Sequence, residues 1–208
     1  MTDPAPCAVD PHVAAEFPGL QLWSASVAGV RCGRTPPEIR TRLGALADRM
    51  SGAEALALRT RPVPHAYRIL FRQLGLDPDR TRTPLEQLVL ERLLRGGATV
   101  RGMPDDAVAL AILETGVPVF ALDGAAVHGD LVLRPARDGE RVGGVPVPPG
   151  RLVVADAHVA VAVLFGEIGC RPARGTSAVV LVAVQAPGVD ALVVDEALWT
   201  AAEALPRI

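Results

Sequence analysis

Lysine is absent from this 208-residue chain: its 21 basic side chains are all arginine, set against 23 acidic ones for a net charge of −2. That balance excludes a protein held to nucleic acid by net charge alone. An arginine-only set still offers planar, bidentate contacts to phosphate and carboxylate. Coding bias, given the heavy Ala, Gly, Arg, Val and Pro usage, is the plainer reason for it. Cysteine is scarce and odd in number: Cys7, Cys32 and Cys170, with no CxxC pair. A zinc ribbon and a thioredoxin-type redox pair are thereby excluded, and reduced, space-filling thiols in a cytosol are expected. Half of the residues are hydrophobic, yet no uncharged run reaches the roughly 18–20 residues that span a bilayer. The richest stretch, residues 155–186, is interrupted by Glu167, Arg171, Pro172 and Arg174. The start, MTDPAPCAVDPH, lacks the basic and apolar regions of a signal peptide, so a cytoplasmic protein without a membrane partner is expected. No HxxxH or HExxH spacing occurs, so no metal is expected. The Gly96-Gly97 and Gly143-Gly144 pairs lack the surroundings of a phosphate loop and read as turns, so no cofactor is expected either.

What is present is organised. Residues 1–18 read as a loosely ordered lead-in. Leu20, Leu22, Ser24, Ser26 and Ala28 share one parity of a short strand, with Trp23, Ala25 and Val27 on the other. Thr35-Pro36-Pro37-Glu38 has the spacing of a capping box, and Ile39, Leu43, Leu46 and Met50 then recur at helical spacing until Ser51-Gly52. A second helix, starting at His65, places Ala66, Ile69, Leu70 and Leu74 on one side. A third starts at Thr83-Pro84-Leu85-Glu86, with Leu85, Leu88, Val89, Arg92 and Leu93 as a half-apolar stripe ended by Gly96-Gly97. A fourth, residues 104–115, turns Val108, Ile112 and Leu113 inward. From Val117 the period changes to two, with strands at 117–121, 131–134, 151–156, 159–165 and 178–185, a hairpin signal at Asp138-Gly139, and a short helix at 197–204. The 178–185 run is apolar on both parities, as in a strand covered on both faces. Helices first and strands later predict an α+β fold with the sheet drawn mainly from beyond Val117.

Several motifs fall in one register: Ala66-Tyr67-Arg68, Leu93-Leu94-Arg95-Gly96-Gly97, GVPVFALD at 116–123, Gly129-Asp130 and LRPARDGE at 133–140. After them come Val153-Val154-Ala155-Asp156 and AVLFGEIG at 162–169. Together they resemble the B3/B4 domain, the editing and tRNA-associated module of the phenylalanyl-tRNA synthetase beta subunit that also occurs freestanding. The resemblance covers residues 62–185 and is most specific over 75–144. It implies helices packed on a mixed, largely antiparallel sheet, a domain over 19–208, and a pocket lined by Asp106, Val108, Phe120, Gly166, Glu167 and Arg171. Its partner would be tRNA or aminoacyl-tRNA rather than DNA. The chain departs from the synthetase pattern in that pocket. Val108 and Ala109 stand at Thr-Asn positions, Phe120 at a histidine, and Arg171, with Glu167 as the alternative in a slipped register, near an acidic position. Such walls discriminate by size, at about 1–3 kcal/mol per methylene, and leave polar ligand atoms unpaired.

The densest basic stretch, Arg59, Arg61, Arg68, Arg72, Arg80 and Arg82, is the candidate for contact with an RNA backbone. Solvated helix faces carry such arginines routinely. Tyr67 and Phe71 are its only neighbouring stacking candidates. His12, His65, His128 and His158 show no catalytic spacing, and Asp105-Asp106 has the position that a helix dipole alone favours. No catalytic residue can be named. Three readings remain: a binding module with an eroded polar pocket, a trans-editing hydrolase that deacylates mischarged tRNA, and a non-catalytic partner-binding protein.

Overall fold

The computed structural model describes residues 1–50 and 52–208. The chain opens with β1 (Ala5–Pro6), β2 (Ala8–Val9), α1 (Pro11–Glu16) and the long strand β3 (Gln21–Ala28). Helices α2 (Pro37–Arg49), α3 (Gly52–Ala57), α4 (Pro62–Gln73), α5 (Pro84–Arg95) and α6 (Asp105–Thr115) follow, with one 3-10 turn before α4. Then come β4 (Val119–Asp123), β5 (Val132–Pro135), β6 (Arg141–Val142), β7 (Val145–Pro146), β8 (Leu152–Ala155), β9 (Ala160–Val163) and β10 (Ala178–Gln185), closed by α7 (Ala191–Ala204). The fold is α+β. One antiparallel sheet has the order β1-β3-β10-β4, a mixed sheet the order β2-β5-β8-β9, and β6-β7 form a separate ribbon.

The spine of the first sheet is the β3–β10 pair, in register from Gln21 opposite Gln185 to Ala28 opposite Ala178. Val179, Leu181, Val182, Ala183 and Val184 of β10 are buried, as its two-sided apolar pattern requires. Helix α7 packs on β10 and α6, and the small Ala197 and Ala201 beside Leu198 allow a close approach. One apolar cluster runs through both sheets and the helices; a smaller one gathers Ala136, Val142, Val147, Val153 and Ala160.

Several expectations need correction. Most strands lie beyond Val117, as expected, but β3 from the N-terminal part is an interior strand of the first sheet. Residues 1–18 are not a loose lead-in. Thr2 N–H donates to the Ser26 carbonyl at 2.9 Å, Cys7 N–H to Leu22 at 2.7 Å and Asp10 N–H to Leu133 at 2.8 Å, so this segment ties the two sheets together. In α4 the buried apolar residues are Pro64, Tyr67, Leu70 and Phe71, while Ile69 is exposed. Asp138-Gly139 is a turn between β5 and β6. The two-residue hairpin turn is Gly143-Gly144, where both φ angles are positive (55° and 82°), the conformation whose twist matches paired strands. The end of α2 expected at Ser51 falls outside the described residues; α2 stops at Arg49. Thr83 does form the capping box with Glu86 that opens α5.

Candidate functional site

The site is organised by the first turn of α6. Asp106 is fully buried and accepts the backbone N–H groups of Arg101 and Gly102, both at 2.9 Å, together with the Thr35 hydroxyl. Thr35 is therefore not the cap of α2, whose N-cap is Pro36 without a side-chain bond. Gly102 has φ +106°, and a Cβ there would stand 2.7 Å from the Gly33 carbonyl oxygen, so only glycine lets these strands of backbone meet. Met103 and Gly33 exchange backbone hydrogen bonds of 2.7 and 3.1 Å across the same junction.

One residue earlier, Asp105 points the other way. Asp105, Val108, Ala109 and Ile112 follow i, i+3, i+4, i+7 spacing and present one helix face to a cleft of about 440 Å³. The opposite wall is Pro118, Val119 and Phe120 leading into β4, with Val184 of β10 beside them. Val163, Phe165, Gly166 and Ile168, from the turn after β9, and Phe71 of α4 close the end. Phe165 has φ +56° in a turn held by Gly166 N–H to Val163 carbonyl at 2.9 Å and Val163 N–H to Glu167 carbonyl at 2.7 Å. A left-handed non-glycine residue costs about 1–2 kcal/mol. Its ring meets that of Phe71 at a centroid distance of 4.6 Å and a 40° tilt, a contact that offsets about 0.5–1.5 kcal/mol of this.

Arg82, Arg101 and Arg171 stand on the rim with Gln87 and Asp105. Arg101 is tied to Glu91. Among the described residues, Arg82, Arg171 and Asp105 make no side-chain ion pair or hydrogen bond with the protein. Their charges remain available to a ligand.

Of the residues expected to line a pocket, Val108, Phe120, Gly166 and Arg171 do line this cleft together. Asp106 does not, because its oxygens are spent on the backbone and Thr35. Glu167 does not either; it faces a separate small depression beside Val142 and Val145. Phe71, Asp105, Arg101 and Phe165 were not assigned to the pocket from sequence.

The arginines of residues 59–82 are mostly neutralised. Arg68 is buried and bonds Asp79 at 2.7 Å and Glu86 at 2.5 Å, which removes it as an RNA contact. Arg59 lies 3.6 Å from Asp79 and 3.9 Å from Glu86, Arg61 pairs with Glu54, and Arg80 lies 3.8 Å from Asp77. The Arg68 hydrogen bond, helped by the charges of Arg59 and Arg72, holds the Asp79 carboxyl below its ordinary range. Tyr67 is no stacking platform: it is buried, and its hydroxyl donates to the Val184 carbonyl at 2.6 Å. None of the four histidines lines the cleft.

Fold and cleft define an α+β protein with an apolar, aromatic pocket rimmed by arginine. No protein-family model matches the chain, and no curated protein matches it. Among the described residues no helix is long and apolar enough to cross a membrane.

Proposed function

We propose that this chain is a B3/B4-like binding module for the aminoacyl end of a tRNA, acting in the cytoplasm. The observation that carries the reading is convergence: the half-buried rings of Phe120 and Phe165, backed by the buried Phe71, and two arginines without protein partners meet at one cleft. Aromatic faces stack on a nucleobase. Arginine forks hold phosphate. Asp105 supplies an acceptor for an amino group, and the Val108, Val163 and Ile112 walls suit an apolar side chain better than a phenolic hydroxyl, which would lose about 1–3 kcal/mol unpaired. The volume lies in the ordinary range of small-ligand sites. The resemblance to the B3/B4 domain supports the same ligand class.

Hydrolysis of a mischarged ester is the second reading, favoured by one observation: Asp105 is a carboxylate at the cleft with no protein hydrogen bond, free to orient a water. Incubating the protein with a panel of charged tRNAs separates the two. Binding without loss of the ester supports the module; rapid deacylation, abolished by Asp105→Ala with affinity retained, supports the enzyme. Absence of binding to any tRNA removes both and leaves a partner-binding protein.

A further inference from the structure

The chain passes from the first sheet to the second through the loop joining β4 to β5, and there it meets the turn between β8 and β9 at two imidazoles. His128 and His158 are exposed, with ring centroids 5.6 Å apart and planes inclined by 50°. Their approach is built in. Asp156, only 6% exposed, accepts the backbone N–H of His128 at 2.9 Å, of His158 at 2.8 Å and of Val159 at 2.9 Å. Ala157 N–H donates back to the His128 carbonyl at 2.9 Å. Both loops are thus pinned to one carboxylate.

We propose that His128 and His158 together bind one divalent transition-metal ion, copper in preference to nickel or zinc, with water completing the coordination. Metal–nitrogen bonds of about 2.0–2.1 Å put each ring centroid about 3.2 Å from the ion, so two imidazoles at angles from about 90° (tetragonal) to about 120° (trigonal) have centroids about 4.5–5.6 Å apart. The observed separation falls in that interval. Among the described residues no third His, Cys, Asp or Glu joins the pair. The site is therefore an exchangeable staple between two loops, and the pinned backbone reduces the ordering cost of binding. The negative charge of Asp156 behind the rings favours a cation.

Calorimetric titration of the untagged full chain with copper(II), nickel(II) and zinc(II) chlorides tests this. One ion per chain is expected, tightest for copper. His128→Ala and His158→Ala should each weaken binding by about tenfold or more, whereas His65→Ala, at an exposed histidine elsewhere, should leave it unchanged. Because both rings are exposed, the metal-free melting temperatures of all three variants should match the parent's. Saturating metal should raise the parent's melting temperature and not that of His158→Ala. Binding equal in the parent and in His128→Ala and His158→Ala, or weakened as much by His65→Ala, overturns the proposal.

Discussion

Arg59, Arg61, Arg68 and Arg80, against Arg82 and Arg171 of the cleft rim, are the same side chain put to opposite uses. In the first group, Arg68 is enclosed by Asp79 and Glu86, and Arg59, Arg61 and Arg80 each have an acidic neighbour. At the rim, Arg82 and Arg171 keep their charge unspent in the cleft that Phe120 and Phe165 line. Density of charge along a chain does not make a binding site. What decides is whether the fold lays carboxylates over it, and Arg82 belongs to the rim because the turn before α5 carries it to the cleft.

The comparison breaks most visibly at Arg68. Arg68→Ala removes the 2.5 Å partner of Glu86, whose side chain is 10% exposed, leaves it only Thr83 and the more distant Arg59, and should cost about 2–3 kcal/mol in urea unfolding. Arg82→Ala should stay within about 0.5 kcal/mol of the parent. Equal losses at both positions would erase the distinction between a structural and a free arginine.

Asp105 and Asp106 sharpen it with carboxylates. Asp106→Ala leaves two backbone N–H groups and the Thr35 hydroxyl without their acceptor and should lower stability by about 3 kcal/mol. Asp105→Ala should leave the unfolding curve nearly unchanged and alter only ligand behaviour.

A smaller effect is expected with acid. Hydrogen bonds from Arg134 at 2.5 and 2.8 Å, then the Arg137 N–H, hold Glu140 at about 2, against burial that would raise it. The folded pKa lies below the unfolded one, so this stabilisation is fully present above about pH 4.5 and is lost as pH falls towards 2. Arg134→Gln should flatten the stability decline across that window in urea melts at stepped pH. An unchanged slope would show that the pair contributes nothing.

The parts of this fold legible in the sequence are those set by local signals. The bounds of β10 follow from its apolar run, and the start of α5 from Thr83-Pro84-Leu85-Glu86, where the fold closes a capping box. Strands β1 and β2 are two residues each and exist only through their partners, so a proline-rich reading made them loose. The helix expected over 197–204 begins at Ala191, because Asp190 caps the Leu192 N–H. In the cleft, Val108, Phe120, Gly166 and Arg171 came from motif register. The Phe71–Phe165 contact joins distant residues that no periodicity links. Asp106 and Asp105 share a residue type and a helix turn, and about 100° of helical rotation alone separates a buried anchor from a rim group.

The most direct measurement is fluorescence anisotropy of a labelled minihelix ending in CCA, titrated with three proteins at one fixed salt concentration. Arg82→Ala/Arg171→Ala should lower affinity by about tenfold or more, while Arg59→Ala/Arg61→Ala should stay within about twofold to threefold of the parent. The reverse order, with the 59–61 variant losing binding and the rim variant retaining it, would contradict the assignment of RNA-end binding to the cleft.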